Sequence, residues 1–426
     1  MTQTGAATDS GAGGPGPDSG RLLTWRFVAV TVAGLAYFVG WTILYPVLPR
    51  FVEDELGGTG AEVGLAVGSF GITAALLRPV AGRVGDRYGR RVLVVGGMLM
   101  VAVALLGYLV ADSVLVVIGL RLLFGVGEAF AFVGLATAAQ DMASDDRRGE
   151  AANYFSFAVY GGVAAGPPLG EWLFRNGSYD RVWIVASLFV LGGALLGLVT
   201  PVGATGRGRS QPGLIHREAI LPGLALTGGL FGYAGFVSFV AVYARSIGLA
   251  NAGLVFTLYA VLIMVARVVG AKVPDRYGPL RIGSLSLMAL GAGLLLVAAV
   301  ATPVGLFAGV VVFASGMAMN FPALLAVVVN RSAASERAFA VASLSVFFDV
   351  AFAVGAVVMG LIVGAAGERT AFAVGGLFAL AGLIPLRLYA RRPAPATLLA
   401  PTVGQATGST APAQGSASAV APTDVT

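Results

Sequence analysis

Twelve apolar stretches, each about 20 residues long and so long enough to cross a bilayer as a helix, dominate this chain. Backbone inside lipid must satisfy its own hydrogen bonds, so only helices and closed barrels span a membrane. The apolar residues form continuous runs and do not alternate with polar ones, which favours helices over barrel strands. The sequence therefore predicts an all-α protein embedded in a lipid bilayer.

The composition agrees with lipid as the main solvent. Of the 426 residues, 57% are hydrophobic and 11% are charged, whereas about 25% of a typical soluble domain is charged. The net charge of +6 does not indicate nucleic-acid binding, because the basic residues form no dense patch. The chain has no Cys, and His216 is its only His. We therefore expect no disulfide, no metal site and no cofactor.

The polar interruptions divide the chain into regions. The predicted helices cover approximately 26–49, 62–83, 92–111, 114–138, 151–174, 182–201, 219–243, 251–272, 280–300, 303–329, 338–364 and 370–390. The longest interruption, residues 202–218, is predicted to link an N-terminal six-helix bundle (21–201) to a C-terminal one (219–392). Residues 1–20 and 393–426 are rich in small and polar residues, so we predict that both tails are disordered.

A charged motif occurs twice, 189 residues apart. Residues 78–89 read RPVAGRVGDRYG and residues 267–278 read RVVGAKVPDRYG, and seven of the twelve positions are identical. The same offset aligns Ser156 with Ser345 and Gly166 with Gly355. Chance similarity between apolar helices does not explain a repeated charged turn. The sequence therefore predicts two halves related by duplication, an arrangement found in transporters.

The positions of Arg and Lys predict the orientation in the membrane. If both termini are cytoplasmic, the cytoplasmic segments hold 19 basic residues and the external loops hold five. This distribution follows the positive-inside rule. We therefore predict a multi-pass protein of the plasma membrane with both termini in the cytoplasm. The remaining three basic residues, Arg78, Arg121 and Arg267, are predicted to lie inside helices.

The repeated motif resembles the paired loops of the major facilitator superfamily. Its first copy contains Gly82, Asp86, Arg87, Gly89, Arg90 and Arg91, and its second contains Asp275, Arg276 and Gly278. The resemblance covers approximately residues 21–392. It implies two six-helix bundles around a central cavity, transport of a small molecule by alternating access, and a monomer. It also implies that the two loops latch the bundles on the cytoplasmic side, with a simple topological anchor as the alternative.

The fifth predicted helix resembles a second signature, found in twelve-span drug:proton antiporters of that superfamily and generally absent from symporters. Its characteristic residues are Gly162, Gly166, Pro167 and Gly170. The resemblance implies export in exchange for protons. Small residues let helices approach closely, and proline bends a helix. The family usually has Gly where this chain has Glu171, and we predict that Glu171 pairs with Arg175 one turn further on.

The fourth predicted helix carries two charges on one face. Arg121, Gly125 and Glu128 follow the spacing i, i+4, i+7. A charge facing lipid costs about 2.5–3.5 kcal/mol on insertion scales, so this face should turn toward the bundle interior or a wet cavity. The segment resembles a third antiporter motif, whose membrane Arg takes part in proton coupling. We predict that Glu128 carries protons and that Arg121 tunes it, with a static ion pair to a neighbouring helix as the alternative.

The eleventh predicted helix contains a single acid, Asp349, near the middle of the membrane. An intramembrane acid is a functional candidate by default, so we predict a role in proton coupling. The alternative is a static partner for Arg267 or for a helix end. Tyr160 is the repeat equivalent of Asp349, which indicates specialisation of the C-terminal half. We predict that Arg78 and Arg267 extend to the membrane edge and have structural roles.

The first predicted helix has no acid or base but several aromatic residues, and such residues recur in other helices. We predict that they line the substrate cavity, with packing or membrane anchoring as the alternative for each. The candidates are Tyr37, Trp41, Tyr45, Tyr154, Phe157, Tyr160, Tyr233, Phe236, Phe239, Asn320 and Phe348.

These patterns predict a proton-coupled exporter of a small, fairly apolar molecule such as a drug, an antibiotic or another metabolite. A proton-coupled uptake symporter for a sugar or an organic acid is the alternative. A receptor or lipid-handling protein without transport activity is a third hypothesis. The sequence has no GxxxxGK[ST] motif for ATP and no nucleophile–base or metal constellation. We therefore predict no enzymatic activity and no catalytic residue.

Overall fold

The computed structural model describes residues 22–144, 147–201, 215–270, 273–333 and 336–392. Within these ranges the chain is helical and contains no strand, so the predicted all-α fold is confirmed. Both predicted tails and most of the predicted linker lie outside the described residues.

Each half of the chain forms a bundle of long helices. The N-terminal half contains α1 (Trp25–Thr42), α2 (Leu44–Arg50), α3 (Gly60–Tyr88), α4 (Arg90–Gly107), α5 (Val114–Asp141), α6 (Arg148–Arg175) and α7 (Tyr179–Gly197). The C-terminal half contains α8 (Ile220–Ser246), α9 (Gly253–Gly270), α10 (Val273–Tyr277), α11 (Pro279–Ala299), α12 (Pro303–Asn330), α13 (Arg337–Ala381) and α14 (Leu383–Ala390).

Ten helical segments of the described chain are long and apolar enough to cross a membrane. One of them, Phe339–Ala390, accounts for two predicted spans because the chain turns inside it at Gly367, where φ is +78°. The remaining span is α6, whose glycines, prolines and tyrosines lower its hydropathy although it is 28 residues long. The twelve predicted spans, in two six-helix bundles, are thus all present.

The repeated motif makes the same turn twice. Asp86 and Arg87 lie in the last turn of α3, and Gly89 then adopts φ +89° before α4 begins. Gly278 adopts φ +86° before α11 begins. Glycine reaches this left-handed region without steric cost. Gly89 and Gly278 therefore permit the turn between helices in the two copies.

Two helix ends lie a few residues from the approximate ends predicted from hydropathy. The second predicted helix stops at residue 83, but α3 continues to Tyr88. The predicted loop over 365–369 is helical apart from Gly367. Polar residues can extend a helix beyond the apolar part of a membrane, so hydropathy alone places such ends too early.

The two bundles meet mainly along two pairs of long helices, and α2 also packs on α8. In the N-terminal bundle α1 packs on α6 and α7, and α5 packs on α3 and α4; in the C-terminal bundle α8 packs on α13 and α11 on α12. Between the bundles, α3 packs on α13 and α6 packs on α9. The repeat relates α3 to α9 and α6 to α13, so these two inter-bundle crossings are copies of each other.

The bundles close on one side, here called the far face, where α2 ends and α3 begins. Glycines 60 and 64 of α3 bring its backbone against α13: a Cβ on Gly64 would lie 2.5 Å from the carbonyl oxygen of Ala356. On the same face Arg245, at the end of α8, donates to Asp54 over 2.9 Å. The opposite side, where α1 begins and α3 ends, is called the near face.

Candidate functional site

A cavity of about 130 Å³ lies between the two bundles. Its wall is mostly aromatic and aliphatic, with three charged side chains. The lining residues are Phe38, Trp41, Thr42, Tyr45, Phe70, Gly71, Ala74, Arg78, Glu128, Val159, Tyr160, Val163, Tyr233, Tyr259, Met317, Phe348, Asp349 and Phe352. An apolar wall with a few convergent polar groups is typical of a small-molecule site.

The three charged side chains form one junction between the bundles. Arg78 of α3 donates from Nη1 to Asp349 of α13, with N–O distances of 2.6 and 2.7 Å to the two carboxylate oxygens. Its Nη2 donates to Glu128 of α5 over 3.1 Å. Glu128 is 1% exposed and Asp349 is 7% exposed. One guanidinium thus serves two buried carboxylates from different halves of the chain, which leaves a formal charge of −1.

The position of Arg78 differs from the prediction. Its guanidinium lies on the cavity wall, 4.7 Å from the ring of Phe132, and does not extend to the membrane edge. Asp349 pairs with Arg78, so the alternative that paired it with Arg267 was wrong. Helical spacing could not predict either ion pair of Arg78, because Arg78 is 50 residues from Glu128 and 271 residues from Asp349.

Arg121 is buried but does not contact Glu128. Its Nε donates to the carbonyl of Ala66 over 3.0 Å and its Nη2 to that of Val67 over 2.8 Å. The two side chains share a face of α5, but seven residues of helix separate them by about 10 Å along the axis. Arg121 therefore ties α5 to α3, and the cation beside Glu128 is Arg78.

The second crossing has the same geometry without a carboxylate. Arg267 of α9 donates from Nη2 to the hydroxyl of Tyr160 over 3.0 Å and from Nη1 to Ser156 over 3.3 Å. Its Cζ lies 4.6 Å from the centre of the Tyr160 ring. The offset of 189 residues pairs Arg267 with Arg78, Tyr160 with Asp349 and Met317 with Glu128. The duplicated scaffold thus carries an Arg with two carboxylates on one side and an Arg with two hydroxyl partners on the other.

Five of the predicted cavity residues lie on the cavity wall: Trp41, Tyr45, Tyr160, Tyr233 and Phe348. The wall also contains aromatic residues that sequence reasoning missed, namely Phe38, Phe70, Tyr259 and Phe352. No sequence signal separated them from the others, because helical spacing shows which residues share a face and not where that face points.

The other predicted cavity residues lie elsewhere. Tyr37 is fully buried against Phe38, Tyr154 packs edge-on against Phe27, and Phe157 is 42% exposed on α6. Phe236 packs behind the wall on Tyr259 and Phe313. Phe239 lines a separate pocket at the far face. Asn320 is buried in the C-terminal bundle, where its carbonyl accepts a 3.4 Å hydrogen bond from Ser286.

The glycines of the α6 signature bring α6 against α1. The hydroxyl of Thr42 donates to the carbonyl of Gly162 over 2.7 Å. A Cβ on Gly166 would lie 2.9 Å from the carbonyl oxygen of Val39, and one on Gly170 would lie 2.4 Å from that of Ile43. Pro168, next to Pro167, packs on Gly253 at the start of α9. The signature therefore lies between α1 and the inter-bundle crossing.

Glu171, at the end of this signature, has a different partner from the one predicted. It forms a bidentate ion pair with Arg50 of α2, with N–O distances of 3.1 and 3.0 Å. The side chains of Arg50 and Glu171 are 3% and 2% exposed. The predicted pair with Arg175 was wrong, because a buried carboxylate needs a buried cation and Arg175 is exposed.

The near-face loop makes its polar contacts within the N-terminal bundle. Arg90 donates to Asp86 and to Asp141, each over 3.0 Å, and Arg91 donates to the carbonyl of Thr200 over 2.9 Å. Gly82 has open space around it. Arg87 lies against the ring of Tyr88.

In the second copy of the loop, Arg276 lies against the ring of Tyr277. The side chain of Asp275 is not among those described. In the described part of the chain, none of the polar contacts of Asp86, Arg87, Arg90 or Arg91 reaches the C-terminal bundle. The contacts of these four residues therefore give no evidence of the predicted latch. Groups of three potential metal ligands are also absent from the described residues.

Comparison with known proteins agrees with this architecture. A family model for the Major Facilitator Superfamily matches residues 30–250 and 223–421. An uncharacterised MFS-type transporter from Salmonella typhimurium is 29% identical over 361 residues, which cover 81% of this chain and 91% of that protein. YhhS, an uncharacterised MFS-type transporter from Escherichia coli, is 27% identical over 385 residues, which cover 88% of this chain and 95% of YhhS.

Solved structures show the same fold. A bacterial homologue of the human lysosomal transporter Spinster, in an inward-facing and occupied conformation, gives a TM-score of 0.73 at 16% identity, covering 86% of this chain and 96% of that one. The nucleoside transporter NupG gives a TM-score of 0.68 at 14% identity, covering 87% of this chain and 100% of that one. At these identities the likeness concerns the fold alone.

Proposed function

Since this chain belongs to the major facilitator superfamily and is a multi-pass membrane transporter, we propose that it exports a small, fairly apolar molecule in exchange for protons. A drug, an antibiotic or another metabolite would fit this description. The observation that carries the proposal is the junction of Arg78 with Glu128 and Asp349 on the cavity wall. Buried acids on such a wall are the groups that proton-coupled transporters use.

The junction contains two carboxylates and one guanidinium, so binding of one proton balances its charge. With one carboxylate protonated, Arg78 is matched by a single negative charge. Asp349 holds Arg78 across the bundle interface, whereas Glu128 holds it within the N-terminal bundle. A proton on Asp349 therefore weakens the contact between the bundles and leaves Arg78 paired with Glu128. In this way proton binding favours separation of α3 from α13, and deprotonation favours their contact.

Two observations support export of an apolar molecule. The cavity wall is dominated by aromatic and aliphatic side chains, and its polar groups are few. A symporter for a sugar would need more amide and carboxylate groups to replace the hydration of its substrate. The α6 signature, which resembles that of antiporters, lies between α1 and the inter-bundle crossing, where a pivot would act.

We also propose that the near face is cytoplasmic, as the positive-inside rule predicts, and that the transporter works as a monomer in the plasma membrane. The far face, closed by the glycines of α3 and by Arg245 with Asp54, is then external. In this assignment the loops of Asp86 and Asp275 are a cytoplasmic gate. They engage across the bundles when the cavity opens outward and separate when it opens inward.

Inside-out vesicles with an imposed, inside-acid pH gradient test the proposed function. Cationic, neutral and anionic compounds are added in turn, and proton release is followed with a pH-sensitive dye. Wild type is expected to release protons with at least one class of compound. Glu128→Gln and Asp349→Asn should lose this release, whereas Asp112→Asn, the same chemical change in an exposed loop, should keep it. Coupled release that persists in both cavity variants, at equal protein levels, contradicts the assignment.

A further inference from the structure

Arg267 is a membrane cation that contacts no carboxylate among the described residues. Its polar contacts in the described part of the chain are the hydroxyls of Tyr160 and Ser156. Arg78, its repeat equivalent, has two carboxylates instead. The difference arises because the positions equivalent to Asp349 and Glu128 are Tyr160 and Met317. The duplicated site has therefore kept its cation and lacks both of its anions.

The guanidinium of Arg267 has N–H donors that its two hydroxyl contacts do not use. It carries five N–H groups, and the two hydroxyl contacts use two of them. Its Nε is buried and has no acceptor among the described residues. An unneutralised cation inside a membrane protein is costly, and such residues generally pair with an anion or with a ligand. No described carboxylate fills this role, which leaves an anion from outside the protein as the candidate partner.

Arg267 does not line the cavity itself, but a side chain in contact with it does. Tyr160, whose ring lies against the guanidinium, is on the cavity wall, and so is Met317. The Tyr160 hydroxyl accepts from Arg267 and keeps its own proton to donate. An acidic group in the cavity can therefore accept from Tyr160 while Arg267 balances its charge. The aromatic wall around it suits an apolar body attached to that acidic group.

From this arrangement we infer that Arg267 and Tyr160 bind an anionic group of the transported molecule, so that the substrate class is an organic acid with an apolar body. The inference rests on the proposed function only in taking this cavity as the transport site. It assigns substrate binding to the α6–α9 crossing and leaves proton binding at the α3–α13 crossing. The two crossings would then divide substrate and proton between them.

Equilibrium binding of 1-naphthoate and 1-naphthamide to the purified full-length chain tests this inference. The two probes share a ring system and differ in charge. Wild type should bind naphthoate at least about tenfold more tightly, since a charge-assisted hydrogen bond is worth at least that factor. Arg267→Gln should abolish the preference. Tyr160→Asp should abolish it as well, because the new carboxylate neutralises Arg267 without removing it.

Arg331→Gln is the matched control. Arg331 also lies against a tyrosine ring, 4.7 Å from that of Tyr389, but Tyr389, unlike Tyr160, is not on the cavity wall. This variant should keep the preference for naphthoate.

Three results would overturn the inference. They are equal binding of the two probes by wild type, no binding of naphthoate at millimolar concentration, and a preference that survives in folded Arg267→Gln. Failure of proton coupling in the vesicle assay would leave this equilibrium result unchanged, so the two proposals can fail separately.

Discussion

The two crossings between the bundles, α3 with α13 and α6 with α9, share a backbone plan and differ in chemistry. At the first, Arg78 meets Asp349 and Glu128. At the second, Arg267 meets the hydroxyl and ring of Tyr160. Duplication explains the shared backbone arrangement. At each crossing an Arg of one half lies against a helix of the other half, and these two helices, α13 and α6, are equivalent in the repeat. The comparison shows that acids at two positions, Asp349 and Glu128, distinguish the first crossing from the second, where Tyr160 and Met317 stand instead.

The largest expected difference concerns the two arginines. Arg78→Gln leaves two buried carboxylates without a cation, and breaking a buried ion pair costs about 3–5 kcal/mol. Arg267→Gln loses two hydrogen bonds to hydroxyls, at about 1 kcal/mol each. Thermal unfolding in detergent should therefore show a much larger loss for Arg78→Gln. Combining it with Glu128→Gln and Asp349→Asn should recover most of that loss, and equal losses for the two single variants would remove the distinction.

A smaller effect is expected when the second crossing is made ionic. Tyr160→Asp places a carboxylate against Arg267 and so adds a second ion pair between the bundles. Tighter contact should slow exchange of substrate roughly tenfold, which corresponds to about 1.4 kcal/mol in the barrier. Tyr160→Asn, which is similar in size and uncharged, is the control. Exchange rates that are the same for the two variants would show that charge at this crossing does not restrain the bundles.

The smallest effect is expected at the exposed inter-bundle pair of the far face. Arg245 and Asp54 are 37% and 41% exposed, unlike the buried acids of the cavity. Exposed ion pairs contribute less than about 1 kcal/mol and are screened by salt. Arg245→Gln should therefore change transport slightly at low ionic strength and not at all at high ionic strength. A large, salt-independent loss of transport would mean that this pair is the main closure of the far face.

The sequence predicted the fold well because a helix that crosses lipid must consist of a long run of mostly apolar residues. Runs of apolar residues gave the spans, and the repeated turn gave the duplication, with its positive-φ glycines at Gly89 and Gly278. Helix ends were less accurate, since polar residues near Tyr88 and Gly367 continue the helices. Hydropathy measures where lipid ends and not where hydrogen bonding along the helix ends.

The candidate site was only partly predictable. Glu128 and Asp349 could be singled out because acids are costly in membrane helices. Their common partner, Arg78, could not be recognised, because pairing across helices depends on which helices meet. Spacing along α5 suggested Arg121 instead, although its guanidinium binds the carbonyls of Ala66 and Val67. The internal repeat did contain a signal for this pairing. It makes Arg78 equivalent to Arg267 and Asp349 equivalent to Tyr160, so the same two helix positions meet at both crossings.

The distance across the far face, measured as a function of pH, tests the central claim most directly. The chain has no Cys, so spin labels can be attached at Asp112→Cys and Ala301→Cys, in exposed far-face loops of the two halves. If protonation of Asp349 releases Arg78 across the interface, as we propose, acid should increase the fraction of molecules with a long distance. Asp349→Asn should show that fraction at every pH. A variant that keeps the pH response of wild type would contradict the claim that the Arg78–Asp349 contact couples protons to bundle movement.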